Sequence, residues 1–469
     1  MPRVPALLPV LLAMAVIACR PGGIATPAST TATVPPAPTS APTVSNAGPT
    51  TPLAASVALL PAPSATATAT PQSPVDRIAY VGEDNLIYTI APDGGGLRQI
   101  TPAATPERGL GPAYTWPTWS PDAQSLLISG AVPGAQPRTQ RLLVYLADEA
   151  SPARGLKAIH QDRAGSVGIL PGVFHYAIWS PDSKQAAIIA VGQTDLAVFI
   201  SRLDDQPARP IIGGSPMYLT WSSDSDRLYV HQSERLMMFD IAGGAAARSL
   251  GASTRYQAPV AAQDLRGRLA YVVDASDGSS AVVVSEPDGS NTVSVTGVPH
   301  LTAIQWAPDG RRLAIGRTIR GEGDDPFSYA ELLIADAETA EVRSVLKRPI
   351  FAFEWSPDGR HVLIAERHPD PTTAFSWSVL DVDDGSVRHL VDMRPTDEFG
   401  LMLVYFDQYA QSHRLWSPDG DQIVLAGDLL AQGPTQSDEL LERIWVIDIS
   451  GREAPRAVAE GYLAFWSPR

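Results

Sequence analysis

The chain has 469 residues, a formal net charge of −15 and a single cysteine. Its acidic balance argues against nucleic acid as a partner and against direct electrostatic binding to anionic lipid. With one cysteine no intrachain disulfide can form, so a folded domain must depend on apolar burial, which a chain of this length can provide.

The first 18 residues have the pattern of an export signal. Met1 to Arg3 is short and weakly basic, and the run from Val4 to Ala18 is apolar. A run of this length that contains two prolines is too short to span a bilayer but suits a signal peptide. We therefore expect residues 1–18 to direct export.

The next residue is the only cysteine. The segment Val16-Ile17-Ala18-Cys19 resembles the lipobox of bacterial lipoproteins. The resemblance implies that Cys19 becomes the first mature residue and carries lipid, which would anchor the protein at the cell surface or on the periplasmic face of a membrane. Stable anchoring needs more than one acyl chain, and this lipid is the only membrane contact that we expect. The alternative is an ordinary signal peptide in which the cysteine has no role.

Residues 19–75 have the composition of a tether. Pro, Thr, Ala and Ser dominate this segment, which has hardly any charge and no hydrophobic periodicity. Such a segment cannot bury enough apolar surface to fold. The sequence therefore predicts a disordered, lipid-anchored tether over residues 19–75 and one folded domain over residues 76–469.

One short motif recurs throughout the predicted domain. Its most complete copy is Trp-Ser-Pro-Asp-Gly at residues 355–359, between two apolar runs. The other copies begin at Trp119, Trp179, Trp221, Trp306 and Trp416, and a partial copy begins at Trp466. In such a turn proline presets φ, aspartate bonds nearby backbone and glycine closes the reversal. Each copy therefore predicts a strand, a tight turn and a second strand.

The repeated aspartates and tryptophans each have two interpretations. The aspartates could bind metal or carry out acid–base catalysis, and the tryptophans could form ligand platforms. Because a catalytic residue is not needed six times over, we favour turn aspartates and tryptophans that pack between neighbouring sheets. The scattered histidines form no metal-binding motif, and we predict no metal and no other cofactor.

Each unit continues with two more apolar strands, for example at residues 332–336 and 342–346. Four strands per repeated unit are typical of a β-propeller blade. The gap of 85 residues between Trp221 and Trp306 is about twice the gap of 42 before it, so we expect a degenerate copy without tryptophan at residues 262–272. This spacing predicts eight four-stranded blades, or seven if the degenerate unit merges with a neighbour.

The two ends of the domain complement each other. Residues 77–81, 86–90 and 97–100 have the pattern of second, third and fourth strands, whereas residues 462–468 have the pattern of a first strand. Pairing them would complete one blade, close the ring and remove exposed sheet edges. We therefore predict an all-β fold, a single closed β-propeller whose closing blade is shared by N- and C-terminal strands.

The repeated motif, together with residues 78–81 and 87–101, resembles the TolB-type, WD-like propeller repeats. Related repeats form the N-terminal propellers of the prolyl-oligopeptidase family. The resemblance covers residues 77–469 and implies the propeller fold. It also points to protein partners in the cell envelope. Because such propellers host many roles, the resemblance does not name a function.

Loop length is concentrated on one face of the predicted disc, which we call the long-loop face. The connections between second and third strands and between blades emerge there, and several are long, notably 130–141, 318–330, 367–375 and 392–413. Loops of this kind usually carry function. The candidate binding residues on this face are Tyr114, Trp116, Arg320, Asp324, Asp325, Arg367, His368, Tyr405, Asp407, Tyr409, His413 and Arg414.

Aromatic side chains combined with arginine resemble the anchors of protein interfaces. The sequence therefore predicts a monomeric binding or scaffold module for an envelope protein, a peptide or a glycan, and the alternative is a solvated acidic loop surface without a partner. A second alternative is a lyase or hydrolase acting on polysaccharide or peptide at the channel mouth. Residues 405–414 hold its only dense group of candidates, but no catalytic motif is present, and we predict that the protein is not an enzyme.

Overall fold

The computed structural model describes residues 76–103, 113–133, 140–162, 176–192, 195–244, 246–253, 257–298, 302–318, 328–370, 373–430 and 441–469. The predicted signal peptide, Cys19 and the tether lie outside the described residues, as do Arg320, Asp324 and Asp325. None of the helices in the described ranges is long and apolar enough to cross a membrane.

The first sheet joins the two ends of the folded region. It contains β1 (Ile78–Val81), β2 (Ile87–Ile90), β3 (Arg98–Gln99) and the last strand, β31 (Leu463–Trp466), in the order β3-β2-β1-β31. β1 and β31 are antiparallel, with Ile78 opposite Trp466 and Val81 opposite Leu463. The predicted closing blade is therefore confirmed.

The next five sheets each use four consecutive antiparallel strands. The first two are β4 (Ala113–Trp119), β5 (Ser125–Pro133), β6 (Gln140–Asp148) and β7 (Lys157–Gln161), then β8 (Tyr176–Trp179), β9 (Ala186–Val191), β10 (Leu196–Ser201) and β11 (Arg209–Gly213). The third is β12 (Met217–Trp221), β13 (Arg227–Gln232), β14 (Arg235–Asp240) and β15 (Ala246–Ala252). The fourth and fifth are β16 (Val260–Ala261), β17 (Leu269–Asp274), β18 (Ser280–Ser285) and β19 (Val293–Gly297), then β20 (Thr302–Trp306), β21 (Arg312–Arg317), β22 (Glu331–Asp336) and β23 (Val342–Leu346). A single 3-10 turn lies at Pro152–Arg154 within these described ranges.

The remaining sheet has seven strands and holds two repeat units. One unit is β24 (Ala352–Trp355), β25 (His361–Arg367), β26 (Phe375–Asp381) and β27 (Val387–Pro395), and the other is β28 (Gln422–Leu429), β29 (Arg443–Asp448) and β30 (Arg456–Glu460). The first strand of the second unit is reduced to a bridge between Trp416 and Ile423. The described sheets number seven and the repeat units eight, so the predicted blade number stays a prediction.

The ends of β27 and β28 pair with each other and so fuse these two units. Pro395 lies opposite Gly427 in that pairing. Gly427 has φ +154°, and a Cβ there would lie 2.2 Å from the carbonyl oxygen of Arg394. Only glycine allows the two backbones to approach this closely.

The first strand of each unit lies innermost. First strands of neighbouring units contact one another, as β4 contacts β8 and β16 contacts β20. Burial falls outward in every sheet: all residues of β1 are buried, whereas both residues of β3 are exposed. The innermost strands therefore surround a central axis, as in other propellers.

The tryptophans of the motif link neighbouring units around this axis. Each indole N–H donates to the backbone carbonyl of the residue that precedes the tryptophan position in the adjacent unit. Trp119, Trp179, Trp221, Trp306, Trp355 and Trp416 donate to Phe465, Thr118, Ile178, Val260, Gln305 and Glu354, at 2.9–3.4 Å. The predicted packing of the tryptophans between sheets is confirmed. In the degenerate unit Ala261 stands at the tryptophan position, in the predicted register.

The aspartates of the motif stabilise the turns. In the copy at residues 355–359, Asp358 Oδ1 accepts from Ser356 Oγ at 2.6 Å and from the backbone N–H of Arg360 at 2.9 Å. The backbone N–H of Gly359 donates to the carbonyl of Ser356, with φ +67° at the glycine. The predicted turn role of these aspartates is therefore observed directly. We call the side of the disc that carries these turns the turn face.

Candidate functional site

The segment between β27 and the last unit departs from the predicted surface loop at 392–413. β27 continues to Pro395, and two helices follow, α1 (Asp397–Val404) and α2 (Phe406–Tyr409). Thr396 caps α1 by accepting from the backbone N–H of Phe399, and acidic residues in its first turn suit the helix dipole. The loop prediction is wrong here because the segment turns inward and packs against the innermost strands.

Residues 406–413 occupy the axis, and we call them the axial plug. Gln408 accepts from the backbone N–H of Leu219 at 2.8 Å and donates to its carbonyl at 2.9 Å. The amide therefore replaces the missing strand neighbour at the inner edge of β12. Tyr176, from the preceding unit, donates its hydroxyl to the carbonyl of Gln408.

The plug reaches three further units. Asp407 accepts from the backbone N–H of Ala258 at 3.1 Å, in the degenerate unit. Phe406 packs against Phe353 and Tyr329, with ring centroids 4.9 and 5.9 Å away. Burial raises the pKa of Asp407 to about 6, because the only groups that stabilise its charge among the described residues are backbone N–H donors.

His413 ends the plug and is almost completely buried. Its Nε2 lies 3.0 Å from Thr118 Oγ1 and its Nδ1 lies 2.7 Å from Ser412 Oγ. Thr118 donates its own hydroxyl to the carbonyl of Trp116, so we assign the proton of His413 to Nε2. Burial lowers the pKa of the imidazole to about 3. The ring is therefore neutral, and both nitrogens are used inside the protein.

A strained residue directs an aromatic ring onto the plug. Trp116 has φ +52°, which is uncommon for a bulky side chain, and lies in a register shift of β4. Its indole stacks on Tyr409, with centroids 4.7 Å apart. The ring of Tyr176 meets the ring of Tyr409 edge-on, with centroids 5.1 Å apart. The bulge thus places an inner-strand tryptophan against the plug.

The predicted site residues that the structure describes lie in four separate places. Trp116, Asp407, Tyr409 and His413 come together at the axis, but they are largely buried, and Tyr405 ends α1 beside them. Arg414 follows the plug and is exposed. Tyr114 packs against Tyr145 within its own sheet, at 5.9 Å.

Arg367 and His368 belong to a separate group on the long-loop face, which we call the loop-face cluster. The guanidinium carbon of Arg367 lies 4.5 Å from the ring centroid of Phe351 and 5.4 Å from that of Phe375. His368 Nε2 lies 3.9 Å from Asp392 Oδ2. The backbone N–H of Asp370 donates to His368 Nδ1, so the imidazole proton is on Nε2. His389 approaches the same carboxylate at 3.5 Å.

Two functional residues were missed by sequence reasoning. Gln408 has no local signal, because its partner Leu219 is far away in the chain. Glu354 does have a local signal in the sequence, because it is the only charged residue in the apolar run of β24. Its Oε1 accepts from the backbone N–H of Leu415 at 3.3 Å, and burial raises its pKa to about 8. In the described ranges no three His, Cys, Asp or Glu residues gather as a metal site.

The order of the sheets and the pairing of the two chain ends define a β-propeller. Solved structures are similar to the chain at low sequence identity. TolB from Acinetobacter baumannii matches with a TM-score of 0.36 and 15% identity, over 66% of this chain and 62% of TolB. The match thus spans less than two thirds of that protein. An oligogalacturonate lyase in complex with manganese matches with a TM-score of 0.44 and 12% identity, over 71% of this chain and 84% of the lyase.

A third structure, dihydro-heme d1 dehydrogenase NirN in complex with DHE, matches with a TM-score of 0.50 and 15% identity, over 85% of this chain and 77% of NirN. No protein-family model matches the chain, and neither does any curated protein. Identities this low show similarity of fold alone. The function therefore has to be argued from the residues of this chain, because a propeller fold is compatible with many functions.

Proposed function

We propose that this protein is an exported, lipid-anchored β-propeller that binds a protein, peptide or glycan of the cell envelope through its long-loop face. The observation that best supports this proposal is the axial plug. Its contacts with Thr118, Leu219 and Ala258 fill the axis with the protein's own side chains. On the long-loop face, a partner would therefore bind to the surface around the plug and not inside the axis.

The loop-face cluster is the part of this surface that best suits a partner. Phe351 and Phe375 are buried beneath the exposed Arg367, whose guanidinium is held against both rings. An arginine already held in place loses little conformational freedom on binding. Arginine and aromatic groups are also enriched among the residues that dominate interface energies.

Anchoring rests on Cys19 and the predicted tether. We expect Cys19→Ala to move the protein from the membrane fraction to the soluble fraction, because the lipid is the only membrane contact proposed. Fractionation followed by immunoblotting measures this shift. Retention of the variant in membranes would contradict the lipid anchor.

Binding is tested by crosslinking the full-length protein in its own membrane and identifying what co-purifies. We expect Arg367→Gln to reduce recovery of a specific partner by roughly tenfold, as for an interface hot spot. Arg360→Gln, an exposed arginine on the turn face, is the matched control and should keep full recovery. Equal recovery with both variants would remove the loop-face cluster from the interface. Replacing the whole 392–413 segment is unsuitable, because it would remove the plug.

A further inference from the structure

The fourth strand of each repeat unit lies outermost, and in all but one of the described units it carries a basic residue. These residues are Arg98, Lys157, Arg209, Arg248, Arg343, Arg388 and Arg456. Charged side chains on an outer strand discourage another chain from pairing with it. The exception is β19, in the degenerate unit, because residues 289–298 contain no charged residue and no proline.

The basic residues of the outermost strands also link neighbouring units. Their side chains reach the connection between the third and fourth strands of the next unit around the ring. Examples are the hydrogen bonds from Arg343, Arg388 and Arg456 to the carbonyls of Val382, Ser450 and Pro92. Each such residue therefore holds its sheet against the next one, in addition to protecting the edge.

Val293 occupies the position of these basic residues in the degenerate unit. It lies opposite Val284 of β18, just as Arg343 lies opposite Ile334 of β22. Val284 and Ile334 each stand two residues before the residue whose backbone N–H closes the following turn. A valine cannot make the link to the next unit, and 45% of its surface is exposed.

A different residue links the degenerate unit to the next unit. Arg268, directly before β17, is almost completely buried and donates to the carbonyls of Gly310 at 2.7 Å and Ala337 at 3.4 Å. Ala337 directly follows β22, just as Val382 directly follows β26, so its carbonyl is the equivalent acceptor. The ring therefore keeps its contact at this junction while β19 stays uncharged.

The outer edge of β19 has no partner strand. Among the described strands β19 pairs with β18 alone and is the last strand of its sheet. Its sequence, Val-Ser-Val-Thr-Gly, is rich in β-branched residues, which favour extended structure. An uncharged edge of this kind is a template for a strand of another chain. We propose that β19 pairs, antiparallel, with β19 of a second copy of this protein.

Charge favours the same strand of a second copy as the occupant. With a net charge of −15 two copies repel each other over most of their surfaces, so contact is least costly where a strand is uncharged. A two-fold axis at Val295 would place Val293 opposite Gly297 and Ser294 opposite Thr296, so no charged side chains would meet. This dimer replaces the monomer expected from the sequence and does not depend on the loop-face cluster.

Analytical ultracentrifugation of the full chain in density-matched detergent tests the proposal. We expect a monomer–dimer equilibrium with a dissociation constant of roughly 0.1 mM, since one pair of short strands makes a small interface. Val293→Arg should weaken the dimer by roughly tenfold or more, because pairing would take a charge out of water. The arginine reproduces the residue of the other units, so the variant should fold, and thermal unfolding checks this.

Leu97→Arg is the matched control. It adds the same charge in place of another exposed apolar residue, directly before β3, and should leave the dimer unchanged. Hydrogen exchange locates the contact, because the backbone amides of residues 293–297 should exchange more slowly in the concentrated unmodified protein than in the dilute one. The proposal is overturned if the unmodified protein stays monomeric up to about 1 mM, if Val293→Arg dimerises equally well, or if the slowed amides lie outside β19.

Discussion

The turns of the repeat and the axial plug are stabilised in opposite ways. In each turn the partners are a few residues apart, as Ser356 and Asp358 are, and the same contacts recur in Ser417 and Asp419. In the plug, Gln408 binds Leu219, which lies 189 residues earlier in the chain, and His413 binds Thr118, which lies 295 residues earlier. The turns are local and repeated, whereas the plug is non-local and occurs once.

This difference predicts how many repeat units a substitution in a turn or in the plug destabilises. A defect in one turn should stay in one hairpin, because its neighbours keep equivalent bonds. A defect in the plug removes contacts from several units at once, since α2 touches β20 and β24 while Gln408 and Asp407 bind the units of β12 and β16. The plug should therefore contribute to the cooperativity of the whole ring.

The largest effect is expected for Phe406→Ala. Phe406 is almost fully buried between Tyr329 and Phe353, and its truncation should lower the free energy of unfolding by about 3–5 kcal/mol. Chemical denaturation measures this loss. Phe239→Ala, which truncates a buried ring in the regular unit of β14, should cost a similar amount.

Hydrogen exchange separates these two variants. Phe406→Ala should speed exchange in β12, β20 and β24, because they share the plug, whereas Phe239→Ala should act within its own unit and the adjacent one. If Phe406→Ala raised exchange only in the plug, the plug would be a dispensable filling of the axis.

The sequence predicted the repeated part of the molecule closely. The predicted strand at 342–346 coincides with β23, and the degenerate unit lies in its expected register, because each hairpin carries its own turn chemistry. The plug escaped prediction for the opposite reason. Its helix α1 is short and contains Gly400, which weakens the helical signal, and its burial depends on distant strands.

The candidate site shows the same division. The sequence predicts Trp116, Tyr409 and His413 as candidate binding residues of the long-loop face, and they do lie together. Their composition predicted a cluster, but not that the cluster faces inward. Only the path of the chain through the axis, set by many long-range contacts, decides whether such groups meet a partner or each other.

An intermediate effect is expected from the titration of Asp407. Its folded-state pKa of about 6 lies above the usual value of 3.8. Stability from the protonated carboxyl is therefore fully present below about pH 4 and is lost as the pH rises through 6, by roughly 2–3 kcal/mol in total. Glu354, with a pKa of about 8, should extend the decline to higher pH.

Asp407→Asn isolates this contribution. The free energy of unfolding of each protein is measured from pH 4 to pH 8. It should fall more steeply with rising pH in the unmodified protein than in the variant. Asp370→Asn, at an exposed carboxylate on the long-loop face, is the matched carboxyl-to-amide control outside the plug. Parallel profiles for the unmodified protein and Asp407→Asn would mean that the plug carboxyl is better solvated than its contacts indicate.

The smallest effect is expected for Ser356→Ala. The hydroxyl of Ser356 donates to Asp358 and accepts from the backbone N–H of His361 at 2.9 Å, so its loss should cost about 1 kcal/mol. Ser417 makes the same bonds in the next unit, and Ser417→Ala should cost the same. If the turns are independent, the double variant should lose the sum of the two values within about 0.5 kcal/mol. A clear departure from additivity in chemical denaturation would show that the repeated turns are coupled around the ring, and the contrast with the plug would then be one of degree rather than of kind.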